Sequence, residues 1–421
     1  MILFLWWLSS ILFFLLGSWL VVWRSQQQVP EIFSTPPISV LKPLKGRDEG
    51  LYRNLESFFL QDYPQYELLF SIASPWDPAR VVVEELQRKY PQVRAQLIIG
   101  DEELLNPKVA NLVRSYHEAS HDLLVISDSN VRVSCSYLGR MAAQMNERVG
   151  VLTAIVAGIS GRGIGGALEA TYLNTFYARG LCLAFLFGKP CVIGKSMMFR
   201  KSVAEKFGGM HALGQYVAED YVIGEKMRGL GLQIKLMLDP VEQYIGRYSF
   251  SSFWQRHLRW GRIRKVHAPL AFFLEPLFMP LFSSVGGALV LHRWVNLSTS
   301  LVFCLSLLLF GICDYITATQ VSKRKSPRFA IGWLLRELLS FPLWLVTASS
   351  NKVQWRGHSL SLCFGGEIKQ EAIECPSIPG QLSSGVPQPA RTKLRATITE
   401  AIGSNGIVTA KSEVLAGFTF R

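Results

Sequence analysis

The sequence predicts an α/β protein whose mainly parallel sheet is carried between an N-terminal transmembrane helix and C-terminal transmembrane helices. Three observations predict it. Residues 2–23 (ILFLWWLSSILFFLLGSWLVVW) carry no charge, enough helix to cross a hydrocarbon core of about 30 Å. Between residues 38 and 127, short apolar runs alternate with segments of helical spacing, the pattern of parallel strands joined by helices. Long apolar stretches return from residue 270 to 348. The expected divisions are an anchor at 1–23, an α/β domain at 24–268, membrane helices at 269–350 and a C-terminal segment at 351–421.

The elements follow in order. A cleaved leader would want a basic start, a shorter core and a small-residue cleavage site, and the first 23 residues offer none, so they read as an anchor. A proline-punctuated connector, 26–37, leads to a strand at Ile38–Leu41, a helix at Leu51–Phe59 and a strand from Tyr66. A helix at Ala79–Lys89, a strand at Ala95–Ile99, a helix at Pro107–Ala119 and a strand over Asp122–Ser127 complete the alternation. The glycine-rich run Gly158–Gly166 lacks a phosphate-loop Lys-Ser/Thr and reads as a flexible loop. Tyr172–Gly188, interrupted by Arg179, reads as an interfacial helix on the bilayer or as core. Leu270–Leu291 and Trp294–Cys313 are two apolar stretches divided by His292-Arg293. Phe329–Ala348, with Arg336, Glu337 and Pro342 inside it, reads as a short span or a re-entrant helix, its charges expensive unless paired. After about residue 367 the chain is polar, rich in Gly, Ser and Pro, and reads as disordered.

Charge and cysteine usage narrow the function. The net charge is +13 over 421 residues, but no long basic run or recognisable nucleic-acid module is present, which argues against nucleic-acid binding. The excess suits a membrane protein with basic flanks, or a site for a diphosphate. Arg24 follows the first span, and residues 24–270 carry more Lys and Arg than Asp and Glu. That places this segment in the cytoplasm, as part of a multi-pass integral membrane protein. The Lys323-Arg-Lys325 cluster agrees with an out-and-back pair of spans. Seven cysteines are scattered without metal-ligand spacing and read as reduced thiols.

Three aspartates carry the chemical signal: Asp77 in Ser-Pro-Trp-Asp-Pro, Asp128 in Ile-Ser-Asp-Ser-Asn and Asp220 in Ala-Glu-Asp-Tyr. Asp77 and Asp128 fall just after strands, where open α/β sheets bind ligands. A diphosphate leaving group gains charge in the transition state and needs a divalent metal or arranged cations. Asp128 with Asn130 offers Mg2+ or Mn2+ one carboxylate and one amide oxygen. An acceptor hydroxyl needs a base, for which Asp220 is the candidate and Glu219 the alternative. Arg256 and Arg259, three apart, share a helix face and suit phosphate oxygens, while Trp260 offers a flat surface to a sugar or lipid headgroup. Singly, each has a plainer explanation: Asp128 as a turn residue, Asp220 as a helix cap, Arg256–Trp260 as a membrane-edge belt. In this order, together, they point to a sugar nucleotide and a membrane-dissolved acceptor.

These residues, with Ser39–Gly46, Asn54–Phe58, Asp62–Pro64, Asn106-Pro-Lys108, Asn111-Leu112, Trp355-Arg356 and Gly365-Gly366, resemble family 21 glycosyltransferases, the ceramide glucosyltransferases of the GT-A superfamily. The resemblance extends to about residue 366. It implies a Rossmann-like GT-A domain and inverting transfer of glucose from UDP-glucose to the hydroxyl of a membrane lipid, most simply ceramide, on the cytoplasmic face. It assigns Asp77 to the nucleotide, Asp128 to the metal-diphosphate, Asp220 to the base, and Arg256, Arg259 and Trp260 to donor diphosphate and acceptor. Lys108 would contact the nucleotide. Two departures stand out: Asn130 occupies a variable position, and Tyr177 lies near a histidine of animal members. Hopanoid glycosyltransferases using UDP-N-acetylglucosamine share much of the pattern. A processive polysaccharide synthase would need a larger helix bundle, and a sugar-nucleotide sensor or scaffold would tolerate loss of Asp220.

Overall fold

The computed structural model describes residues 1–31, 34–327, 329–355, 358–363 and 365–369. Thirteen strands lie among them: β1 (Ile38–Pro43), β2 (Tyr66–Ile72), β3 (Ala95–Ile99), β4 (Leu123–Ser127), β5 (Val131–Arg132), β6 (Val149–Thr153), β7 (Val156–Arg162), β8 (Ser196–Arg200), β9 (Gln233–Leu236), β10 (Val241–Arg247), β11 (Lys352–Trp355), β12 (His358–Leu362) and β13 (Ile368–Lys369). The main sheet runs β3-β2-β1-β4-β8-β6-β9. Its first four strands are mutually parallel, β8 runs antiparallel to both neighbours, and β9 pairs parallel with β6. The expected parallel sheet is therefore one half of a mixed one.

The parallel half forms because its strands are apolar on both faces and the helices between them cover those faces. β1 is buried along its length, Ser39 and Lys42 included. Ser39 Oγ donates to Glu67 Oε1 on β2 at 2.6 Å, and the Ser120 backbone N–H donates to the same oxygen at 2.7 Å, so these buried polar groups are satisfied. Chain order reverses between β1 and β4, since β2 and β3 extend one way from β1 and β4 the other. The carboxyl ends of β1 and β4 meet at this switch point, where a crevice opens in such sheets.

A smaller sheet, β5-β10-β7, borders the crevice. The glycine-rich run, expected to be a flexible loop, is instead the end of β7 and the start of the helix Gly163–Tyr172. Its glycines serve close approach: a Cβ on Gly165 would collide with the Ser249 carbonyl, one on Gly161 with the Gly166 carbonyl, and Gly163 has φ +75°. A π-helical turn, Leu173–Tyr177, joins that helix to Ala178–Leu186. Expected as an interfacial helix or as core, the segment is core over Leu173–Leu183, packing Ala178, Leu181 and Cys182 against Leu20 and Val21 of the first helix.

The helices Ile2–Ser25, Thr299–Ser322 and Phe329–Ala348 are each long and apolar enough to cross a membrane. The pair Pro269–Phe278 and Pro280–Val295, bent by 51°, makes a fourth if the two halves count as one span. The second stretch, expected over Trp294–Cys313, is a helix over Thr299–Ser322 that carries Asp314 inside it. Asp314 is fully buried and paired: Arg179 donates to Oδ1, and Arg336 and Trp333 donate to Oδ2, each at 2.8 Å. Arg336 also pairs with Glu337 and donates to Thr175 Oγ1. The charges inside Phe329–Ala348 are thus balanced by an acid from one helix and a base from another.

The last described strand, β13, keeps the chain paired to Lys369, slightly past the expected limit of order near 367. The rest of that expectation, and Arg356 of the family-like stretch, lie outside the described residues.

Replacing Asp314 with Leu leaves Arg179 without its acid and Arg336 with Glu337 alone. The expected loss is about 3–5 kcal/mol, the usual cost of breaking a buried pair from one side. Thermal unfolding of the detergent-solubilised chain checks it; an unchanged midpoint would show that the cluster contributes no stability.

Candidate active site

Asp128 follows β4 at the switch point, and three lysines from three elements converge on it. Lys108 Nζ lies 3.0 Å from Oδ1 and Lys195 Nζ 2.9 Å from Oδ2. Lys42 Nζ, on β1, donates to the Asp128 carbonyl at 3.0 Å and lies 3.7 Å from the centre of the Phe58 ring. Burial alone would push the Asp128 carboxyl up, but the two ammonium groups hold it well below the ordinary range.

Lys108 reaches this point because Asn106 starts its helix. The Asn106 Oδ1 accepts from the backbone N–H groups of Lys108 (2.9 Å) and Val109 (3.1 Å), with Pro107 as the first helical residue. The Asn106 amide also donates to Glu219 Oε2 at 3.2 Å, and Lys108 Nζ pairs with Glu219 Oε1 at 2.8 Å. The start of this helix is thereby tied to the segment carrying Asp220, and Lys108 lies close enough to influence both Asp128 and Asp220. Asp220 Oδ2 accepts from the Gly194 N–H at 2.6 Å and Oδ1 from the Tyr221 N–H at 2.8 Å. Burial first, then the neighbouring Glu219 charge, push the Asp220 carboxyl up to about 6, against the pull of Lys108.

The opposite wall is the helix Phe250–His267, capped by Ser249, whose Oγ accepts from the Ser252 N–H at 3.0 Å. Its Arg256 pairs with Glu169 Oε1 at 3.0 Å, and its buried His257 shares 2.9 Å with Glu169 Oε2. Burial would raise the fully buried Glu169 carboxyl, yet Arg256 and the His257 bond bring it down to about 2. The Arg256 guanidinium lies 5.1 Å from the Trp260 ring centre, and Trp260 stands edge-on to Tyr177 at 5.3 Å. Arg259 is half-buried on the same helix. A cavity of about 170 Å³ beside Asn130 and Arg256 is closed by Asn54, Gln243 and Tyr248. A larger one, about 440 Å³, lies by Asp122 at the amino end of β4 and holds none of these residues.

Lys108, Asp128, Asp220 and Arg256 therefore share one charged cluster, Arg256 and Asp128 being close enough to influence each other electrostatically. Asp77 stands apart from it, after β2, where both oxygens accept the Gly46 N–H (2.9 and 3.1 Å) and Oδ1 the Ala79 N–H (2.9 Å), ordering the loop after β1. Sequence reasoning missed Lys42, Lys195 and Glu169. A lone lysine within each of two apolar runs, Ile38–Leu44 and Val192–Phe199, was the available signal for the first two; Glu169 had none.

The metal expected at Asp128 and Asn130 does not fit this arrangement. Both Asp128 oxygens are engaged by ammonium groups, and Asn130 Oδ1 accepts from Lys195 Nζ at 2.9 Å. Among the described residues no group of three His, Cys, Asp or Glu side chains converges as a metal site.

The profile described as glycosyl transferase family 21 matches residues 2–368. The chain belongs to that family. Ceramide glucosyltransferase 3 of Caenorhabditis elegans is 32% identical over 357 residues, covering 82% of this chain and 77% of its own length. Ceramide glucosyltransferase 1 of the same worm is 30% identical over 355 residues, covering 83% and 76%. The ceramide glucosyltransferase of Komagataella phaffii is 25% identical over 415 residues, covering 76% and 81%. Among solved structures, the mannosyltransferase PcManGT from Pyrobaculum calidifontis in complex with GDP-Man and Mn2+ aligns over 81% of this chain and 95% of its own, with 13% identity and a TM-score of 0.48.

As a family 21 member the chain has its charged cluster within the matched region, and Glu169 is tied to it through Arg256. Glu169→Gln keeps the shape but removes the charge opposite Arg256. The expected cost is about 1.5–3 kcal/mol, typical of a hydrogen bond to a charged group. Chemical or thermal unfolding of the variant checks it, and a stability equal to the parent would remove Glu169 as the anchor of Arg256.

Proposed function

We propose that this chain transfers glucose from UDP-glucose to the primary hydroxyl of a membrane lipid, ceramide being the acceptor, with inversion at the anomeric carbon. The observation that carries the reading is Asp220: a half-buried carboxylate, held by two backbone N–H groups, with its proton affinity raised towards neutrality. A base poised near the working pH is what removal of a hydroxyl proton requires. The ceramide glucosyltransferase relatives support the choice of donor and acceptor.

In this reading the uridine lies along the crevice past Asp77, and the diphosphate lies among Lys108, Asp128, Arg256 and Arg259. The acceptor hydroxyl sits between Asp220 and the anomeric carbon, on the side away from the diphosphate. Its oxygen forms the new bond to that carbon as the bond to the β-phosphate oxygen breaks. The hydroxyl proton passes to Asp220, and the electron pair of the broken bond stays on UDP. Trp260, with Tyr177 beside it, offers the aromatic surface against which sugar or headgroup rests. The catalytic domain faces the cytoplasm, where nucleotide sugars are made, and the basic bias of residues 24–270 supports that orientation.

Membranes from an overexpressing host, given labelled UDP-glucose or UDP-N-acetylglucosamine with ceramides, diacylglycerol or hopanoids, test the substrates. The expected product is a glucosylated ceramide; a labelled hopanoid or a polymer would replace the reading. Asp220→Asn is expected to lower turnover by about 10²–10⁴-fold, the usual contribution of a general base, with UDP binding retained. The sign of the pH dependence follows from the raised carboxyl. Asp220 works deprotonated, so kcat/KM rises with pH through about 6 and levels above it. A profile still flat at pH 5 would dismiss Asp220 as the base.

A further inference from the structure

Lys195 occupies the place that a divalent ion would take. Its ammonium lies 2.9 Å from Asp128 Oδ2 and 2.9 Å from Asn130 Oδ1, bridging the two side chains from which a metal would draw its oxygens. Lys108 covers the other Asp128 oxygen at 3.0 Å. Both lysine side chains are nearly buried, 10% and 13% exposed, so neither is a surface group that drifted onto the nearest acid. Each is held from behind: Lys108 by Glu219 and by the Gly194 carbonyl at 3.1 Å, Lys195 by its place between Gly194 and the start of β8. A dication entering here would have to displace one ammonium and sit beside another, in a poorly screened site where like charges repel strongly.

We propose that Lys195, together with Lys108, supplies at Asp128 the positive charge otherwise expected of a divalent metal, so that the donor diphosphate binds without one. The proposal rests on the nucleotide-sugar reading above. Asp128 then acts as a positioning residue, holding the two ammonium groups side by side until a diphosphate arrives. The β-phosphate oxygen gains charge as its bond to the sugar breaks, and these ammonium groups lie where that charge develops. Fixed donors of this kind stabilise a leaving group without the reorganisation that solvent would need.

The test is the affinity of the purified full-length chain for UDP, measured calorimetrically in nanodiscs with excess EDTA and again with Mn2+. The expected result is the same affinity within about twofold, a difference under 0.5 kcal/mol. A loss of about tenfold or more in EDTA, restored by Mn2+, overturns the proposal. Failure to bind UDP in either condition removes the donor reading and this inference with it. Lys195→Gln should weaken UDP binding in EDTA by about tenfold or more, and an unchanged affinity would count against Lys195. Should that variant not fold, Mn2+ electron paramagnetic resonance on the parent decides. A spectrum identical to Mn2+ with UDP in buffer is expected, and a protein-bound Mn2+ signal that needs UDP overturns the proposal.

Discussion

A carboxylate largely withdrawn from water at the end of a central strand must be neutralised where it stands, and much of the crevice is arranged to do so for Asp128. Moving an unpaired charge out of water costs several kcal/mol even after relaxation. Asp128 is compensated by side chains from elements distant in sequence: Lys108 at the start of a capped helix and Lys195 just before β8. Lys42, within β1, is tied to its carbonyl. Each lysine is in turn buried and depends on the acid or a carbonyl for its own satisfaction. The geometry at the switch point follows from mutual need, with Lys108 shared between Asp128 and Glu219. Glu219 extends the set through Lys108 and brings Asp220 into it.

The same rule operates among the membrane helices, with different consequences. Arg179 belongs to the helix that runs on from the small sheet, Asp314 to one long apolar helix, and Arg336 and Glu337 to the next. In hydrocarbon these charges have no solvent to fall back on. The pairing therefore fixes how the α/β domain meets its membrane helices, more specifically than apolar packing alone, which is tolerant of sliding.

The parallel half of the sheet was legible because buried strands and amphipathic helices have different periods, and these residues keep to them closely. The placement of Asp128 at a strand end followed directly. Other features were hidden for physical reasons. The Gly158–Gly166 run has the composition of a loop, and only the three-dimensional approach of the Ser249 and Gly166 carbonyls explains its glycines. Asp314 ends an apolar run in the sequence, whereas in the fold its neighbours make it part of a longer helix. Lys195 and Lys42 looked like isolated charges in strand-like runs, and what they neutralise is set by chain reversal, which no local pattern encodes. Asp77 was visible as a strand-end residue, but not its grip on the Gly46 N–H.

The helix Phe250–His267 is attached to the charged cluster near one end and to a membrane helix near the other. Near its start, Glu169 anchors Arg256 and His257 to the helix that follows β7. Near its end, Lys265 Nζ donates to the carbonyls of Thr347, Ala348 and Ser350 at 2.9–3.1 Å, closing the carboxyl end of Phe329–Ala348 where positive charge is favoured. Between them Gly261 lies so near Thr347 that an added Cβ would fall 2.8 Å from its methyl group. Trp260 is therefore indexed to a membrane helix on one side and to Arg256 on the other. Asp220 is indexed to the sheet through Gly194 and Lys108. In the proposed reaction a hydroxyl brought up from the bilayer along Trp260 would meet Asp220, so the attachments of these two residues would set the distance the reaction needs.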